Sequence, residues 1–165
     1  MATLQEFALD WAHHRAETLK LLRALDDRSL AAKTDADGRT LGRIAWHLVQ
    51  TLPEMLGMAG VPIAGPGPED APPASVAAIV SAYDEASALV APAVQAAWAG
   101  VDLGSTIPMY GQDWPRRLVL SGLMLHEAHH RGQMTVLMRQ AGLKVPGVFG
   151  PAREEWGAYG MPAQP

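Results

Sequence analysis

The 165-residue chain contains no cysteine. Disulfides and thiolate ligation are both excluded, so a metal ion would have to be held by imidazole or carboxylate groups. An excess of positive charge is also missing: 13 Lys and Arg against 17 Asp and Glu give a net charge of −4. The basic footprint that engages phosphate backbones is absent, and no nucleic-acid partner is expected. No run of about 18 uninterrupted apolar residues occurs, so no membrane span is expected. The opening MATLQEFALDWAHH has no charged segment followed by an apolar run and does not read as a signal peptide. A cytoplasmic protein is the expectation. What is present, 48% apolar and 18% charged residues, is a globular composition, and the length suits one domain over residues 1–165.

The regular segments read as helix. Leu4, Phe7, Trp11, Thr18, Leu22 and Leu25 recur at three- and four-residue spacing after Thr3, a capping residue. Thr40 begins a second helix over 41–58, with Leu41, Ile44, Leu48, Leu52 and Met55 on its buried face and a bend expected at Pro53. GVPIAGPGPEDAPP, residues 60–73, cannot be regular structure. It is longer than a tight hairpin needs and predicts a crossover between helix ends that are not adjacent. A third helix spans 75–98, interrupted by Pro92. GVDLGSTIPMYGQDW reads as irregular with room for a short extended turn, after which Asp113 is expected to cap a fourth helix with Pro115 in its first turn, ending near Ala141 before Gly142. The Gly/Pro-punctuated tail is expected to pack back through Val148, Phe149 and Trp156. The predicted fold class is all-α: a four-helix bundle with a long Gly/Pro-rich crossover between helices 2 and 3.

Three of six histidines fall within LHEAHHRGQ, residues 125–133. His126 and His130 are four residues apart, so they project about 40° apart on one helical face. Val119, Leu123, Gln133 and Leu137 share that stripe, which aims the pair into the bundle, and two imidazoles so placed can reach one divalent ion. His129 points to one side. A third ligand must come from another helix: His47 on the second is the best candidate and His14 on the first the alternative. Glu54 lies along the same line as His47 and is the first suspect should a carboxylate take part. Burying two unpaired imidazoles would cost on the order of 1–3 kcal/mol each, which is why the inward pair favours metal over core hydrogen bonding.

His126-Glu127-Ala128-His129-His130 also matches the H-E-x-x-H metalloprotease pattern. The elongated version fails, because Gln133 and Val136 stand where a glycine and a third histidine belong. No sheet edge is foreseen to hold an extended peptide.

GRTLGRIAWHLVQT, HEAHHRGQMTVLMRQAGLKVPGVFGP and the helical spacing between them resemble the DinB/YfiT-like family of metal-dependent proteins, essentially over the whole chain. The resemblance implies a four-helix bundle with one long crossover, often dimeric. It implies a metal site of one histidine from the second helix and two from the fourth, matching His47, His126 and His130, with neither Glu127 nor His129 a ligand. It further implies that the metal activates a small thiol for transfer or isomerisation. A DNA-damage origin of the family name carries no implication of DNA binding.

Three neutral imidazoles would leave an ion its full charge, suited to zinc or nickel, and an open position there can take water or a thiol cosubstrate. Gln133 is placed to support a ligand or a small-molecule substrate, and Arg131 to neutralise an anion or pair at the surface. Proton competition is expected to weaken metal binding below the ordinary imidazole pKa of about 6.5. Leu120, Met124, Ala128, Thr135 and Met138 lie away from the ligand stripe. Covered by a second chain, they predict a homodimer; covered by the tail, a monomer.

Overall fold

A computed structural model describes residues 3–163. Four long helices carry the core: α1 Leu4–Arg23, α2 Leu41–Met58, α3 Val76–Trp98 and α4 Arg116–Gln140. The expected starts of the first two are met chemically. Thr3 accepts from the Glu6 amide while Glu6 reaches back to the Thr3 amide, and Thr40 accepts from the Arg43 amide. Ser75 precedes α3. At the end of α4, Gly142 takes a φ of 77°, the left-handed turn that only glycine adopts without strain.

α1 packs on α3 and α4, and α2 packs on the same two. Between them lie Phe7, Trp11 and Leu22 of α1, Leu48 and Leu52 of α2, Ile79 and Tyr83 of α3, and Leu120 and Leu123 of α4. By length and composition α3 is apolar enough to cross a membrane. Yet it carries Asp84, which pairs with Arg15, and it sends Ile79, Tyr83, Val90 and Val94 into the shared core.

The connection between α2 and α3 is irregular, as its prolines and glycines require, but it is tied down. Trp46 Nε1 donates to the Asp70 carbonyl (2.9 Å), the Gln50 amide donates to the Gly67 and Asp70 carbonyls, and Gly65 lies against the Pro53 ring. In the tail, Val148 packs against the core, whereas Phe149 is largely exposed and lies edge-on to His13.

The start of α4 differs from expectation. Thr106–Met109 (β1) and Gln112–Pro115 (β2) form an antiparallel hairpin, so Asp113 pairs across to Pro108 instead of capping, and the helix begins at Arg116. Prolines usually argue against a strand, but this two-stranded ribbon leaves outer edges where a missing N–H costs nothing. Tyr110 (φ 50°) and Gly111 (φ 77°) supply the two positive-φ residues that such a tight turn demands. Trp114 of β2 packs over Gly122 of α4.

The basis offered for a second chain also changes. Leu120, Met124 and Met138 are buried within this chain, as α4 presents two faces to its own neighbours. The exposed apolar residues of α4 are Leu118, Leu125 and Val136.

Candidate metal centre

α2 and α4 pack directly on each other, and each brings histidines to the contact. His47 Nε2 lies 3.2 Å from His126 Nε2, which lies 3.1 Å from His130 Nε2. All three ligand atoms fall within 4.8 Å of one another. Metal–nitrogen bonds of 2.0–2.1 Å at tetrahedral angles would separate the nitrogens by about 3.3 Å, so the two short edges are of a length that could hold a divalent ion.

Tautomers support this. The Gln133 Oε1 atom can only accept, so at 2.7 Å it fixes the proton of His130 on Nδ1 and leaves a lone pair on Nε2 facing the centre. The same amide donates through Nε2 to His129 Nε2 at 3.1 Å. His129 is exposed and stands outside the cluster. Buried His126 Nδ1 has no hydrogen-bond partner among the described residues, so Nε2 is where that ring meets its surroundings. Replacing Gln133 by Ala should weaken metal binding about 10–100-fold, the usual effect of removing a ligand's supporting hydrogen bond; a zinc titration against a competing chelator measures it, and unchanged affinity would refute the role.

Burial, above all, holds the centre neutral. It draws His47 and His126 down to about 4, with the charges of His130 and Arg39 acting in the same direction on both. His130 is lowered for the same first reason, against the opposing Gln133 hydrogen bond. This moves the expected pH response downwards: His47 and His126 are neutral well below 6.5 and His130 is shifted the same way, so metal affinity should fall less steeply below 6.5 than ordinary imidazoles would give, without any carboxylate ligand. The unfolded chain binds more protons than the native one between about pH 4 and 6.5, so these groups contribute stability above 6.5 that is lost as pH falls towards 4. Melting temperature of the metal-free protein should decline across that window; a level profile would contradict the shifts. Glu127, raised to about 7, acts in the opposite sense, but one group is set against the histidines.

The other candidates lie elsewhere. His14 accepts at Nδ1 from Arg131 Nη2 (3.0 Å) and is drawn to about 4 by burial and that neighbouring charge. Glu54 is exposed and accepts from the Tyr110 hydroxyl at 3.4 Å. Glu127 is 1% exposed, with Oε1 accepting from Tyr83 (2.6 Å) and Oε2 from Thr18 (2.8 Å) and Arg131 (3.2 Å). A carboxylate so enclosed has no water to activate, which removes the protease reading. Arg131 is equally buried, neither facing a substrate nor at the surface. Its pairing with Glu127 was legible only as an i,i+4 acid–base pair.

The DinB family's sequence pattern matches residues 1–163. The chain belongs to the DinB family. This DinB-family chain is 40% identical over 161 residues to the uncharacterized protein YrdA of Bacillus subtilis strain 168, covering 98% of this chain and 96% of that one. A DinB-like protein from Bacillus cereus ATCC 10987 superposes with a TM-score of 0.84 at 37% identity, over 89% of this chain and 98% of that one. A DinB-like protein of Bacillus subtilis, YjoA, shares the fold at a TM-score of 0.65 and 17% identity, over 87% and 96% of the two chains. DinB-family membership thus rests on the whole chain.

Proposed function

We propose that the protein binds one divalent ion, zinc or nickel, through the Nε2 atoms of His47, His126 and His130, and serves as a metal-dependent thiol S-transferase or isomerase. The observation that carries it is the convergence of three neutral imidazole nitrogens, from two helices, on one point. A bound ion would stabilise a thiolate or hydroxide at neutral pH. The chain supplies the rest: neutral ligands that add no charge, a locked His130 tautomer, and a partly dry wall. The chain has no cysteine, so the nucleophilic sulfur has to arrive on a small cosubstrate; a cytoplasmic location, where thiols are kept reduced, suits that. We read the four helices as a four-helix bundle with the α2–α3 connection as its crossover.

The test is consumption of an electrophilic aromatic substrate, 1-chloro-2,4-dinitrobenzene, with added small thiols. Turnover that stops on chelation and returns with zinc is expected. A fully metal-loaded protein without turnover would leave a non-catalytic metal-binding protein, and hydrolysis without thiol would favour a metal hydroxide.

Leu118 and Leu125 recur on one side of α4 with Gly132, where an added side chain would meet nothing. This stripe replaces the residues first expected to pair two copies, and the reading retains a homodimer formed there. Sedimentation at micromolar concentration should show a dimer that Leu125→Glu dissociates; a monomeric parent refutes it.

A further inference from the structure

Beside the histidines, the loop before α2 and the outer side of α4 enclose a cleft of about 470 Å³, within the ordinary size of small-ligand sites. Ile44, Val136 and Leu137 form its apolar walls, and His130 and Gln133 border it on the metal side. Among the described residues Arg39 is the only arginine or lysine in the lining, which also includes Thr34 and His129, and no carboxylate is among them. Asp35 and Asp37 lie on the same loop but outside the cleft, where Asp35 accepts from the Thr34 hydroxyl and the Asp37 amide.

Arg39 differs from the other arginines nearby. Arg131 is spent on Glu127, and Arg43 donates to Gln50 at 2.8 Å. Arg39 forms no ion pair among the described residues. Its charge is nevertheless felt by His47, His126 and His130 alike, which places it alongside the centre. An exposed guanidinium at the rim of an apolar cleft presents a planar fork of donors matched to a carboxylate. Gln133 has both ends of its amide engaged by histidines, so recognition of a ligand's polar end falls to Arg39.

We propose that this cleft takes a small organic anion, with its carboxylate on Arg39, its apolar body against Ile44, Val136 and Leu137, and its reactive end towards the histidines. The assignment deepens the reading of a metal-dependent enzyme by naming its substrate class. As to reaction direction it rests on that reading, but the binding itself does not need the ion.

The experiment therefore uses chelator-treated and zinc-loaded protein in parallel, at pH 8, with 4-fluorobenzoate and neutral 4-fluorobenzyl alcohol followed by fluorine NMR. In the metal-free form the benzoate should bind about tenfold more tightly than the alcohol, the factor given by ~1.4 kcal/mol of charge-assisted hydrogen bonding. Arg39→Gln should erase that preference while leaving the alcohol's affinity and the zinc stoichiometry unchanged. Val136→Trp, filling the cleft from an exposed helical position, should weaken both probes. Equal affinities in the parent, a preference that survives Arg39→Gln, or binding indifferent to Val136→Trp would each overturn the proposal. Absence of stoichiometric zinc alongside the expected probe binding would instead overturn the metal reading and leave the cleft assignment standing.

Discussion

Alanine at His126 or His130 should abolish stoichiometric zinc binding. The three Nε2 atoms already stand at the spacing of a coordination shell, 3.1 and 3.2 Å along the two measured edges, so each supplies a preplaced ligand. Structural zinc sites gain roughly 10–16 kcal/mol from four ligands, which assigns on the order of 3 kcal/mol to each. Losing one therefore lowers affinity by about a hundredfold or more. His126 is the informative position, because it is the hub of both short contacts. The His47→Ala protein should behave alike, whereas His14→Ala should keep its metal, since the His14 ring is engaged by Arg131. Elemental analysis after dialysis, with a circular dichroism spectrum to verify the fold, reads the outcome. Full metal content in both the His126 and the His130 variants would end the three-histidine assignment.

The second large effect belongs to the buried pair behind the site. Glu127 and Arg131 are 1% and 3% exposed, and Tyr83, Thr18 and His14 complete their hydrogen bonds. Removing one member of such a pair leaves an uncompensated buried charge and costs about 3–5 kcal/mol. Arg131→Met is the sharper test, because its side chain still covers Phe149, over which the guanidinium now sits at 5.4 Å. For a chain of this length the loss corresponds to a fall in melting temperature of roughly 10–15 °C. Its pH dependence identifies the cause. Burial already raises Glu127 to about 7, and loss of the arginine pushes it higher. At pH 5 the carboxyl is neutral in the variant and little is lost, while at pH 8 it must either hold its proton against the solution or be buried charged, and both cost stability. The deficit should therefore be largest at pH 8, and adding Glu127→Gln should recover part of it. A deficit identical at both values would mean that packing, not charge, is what Arg131 provides.

The helices and the inward pairing of His126 with His130 were legible in the sequence because both obey short-range rules. Thr3 and Thr40 announce helix starts through caps that close within three residues, and a four-residue histidine spacing has only one geometric meaning on a helix. The choice of His47 over His14 was not local. Both lie on helices that face the core, and only the packing of α2 on α4 brings His47 within reach while Arg131 captures His14. The burial of Glu127 and Arg131 as a pair was not foreseen, because an acid and a base four apart usually mark a solvated face; Tyr83 and Thr18, from two other helices, reverse that expectation. The hairpin before α4 was legible only as a short extended turn, since its prolines argue against strands; they are harmless only because no third strand adjoins it among the described residues. Arg39 stands eight residues before His47, in line with Arg43, but a lone arginine ahead of a cap carries no signal until the cleft beside it is seen.

His47 and His126 are separated by 79 positions along the chain, yet their ring nitrogens meet only where α2 and α4 dock. During synthesis the first ligand emerges long before the other two, and a lone imidazole holds a divalent ion weakly. The complete chelate exists only after the last long helix has been made and has closed against the second. Under the proposed metal binding, loading would thus be a late event that distinguishes finished, correctly packed molecules from nascent ones, and an ion once held would clamp two distant parts of the chain against reopening.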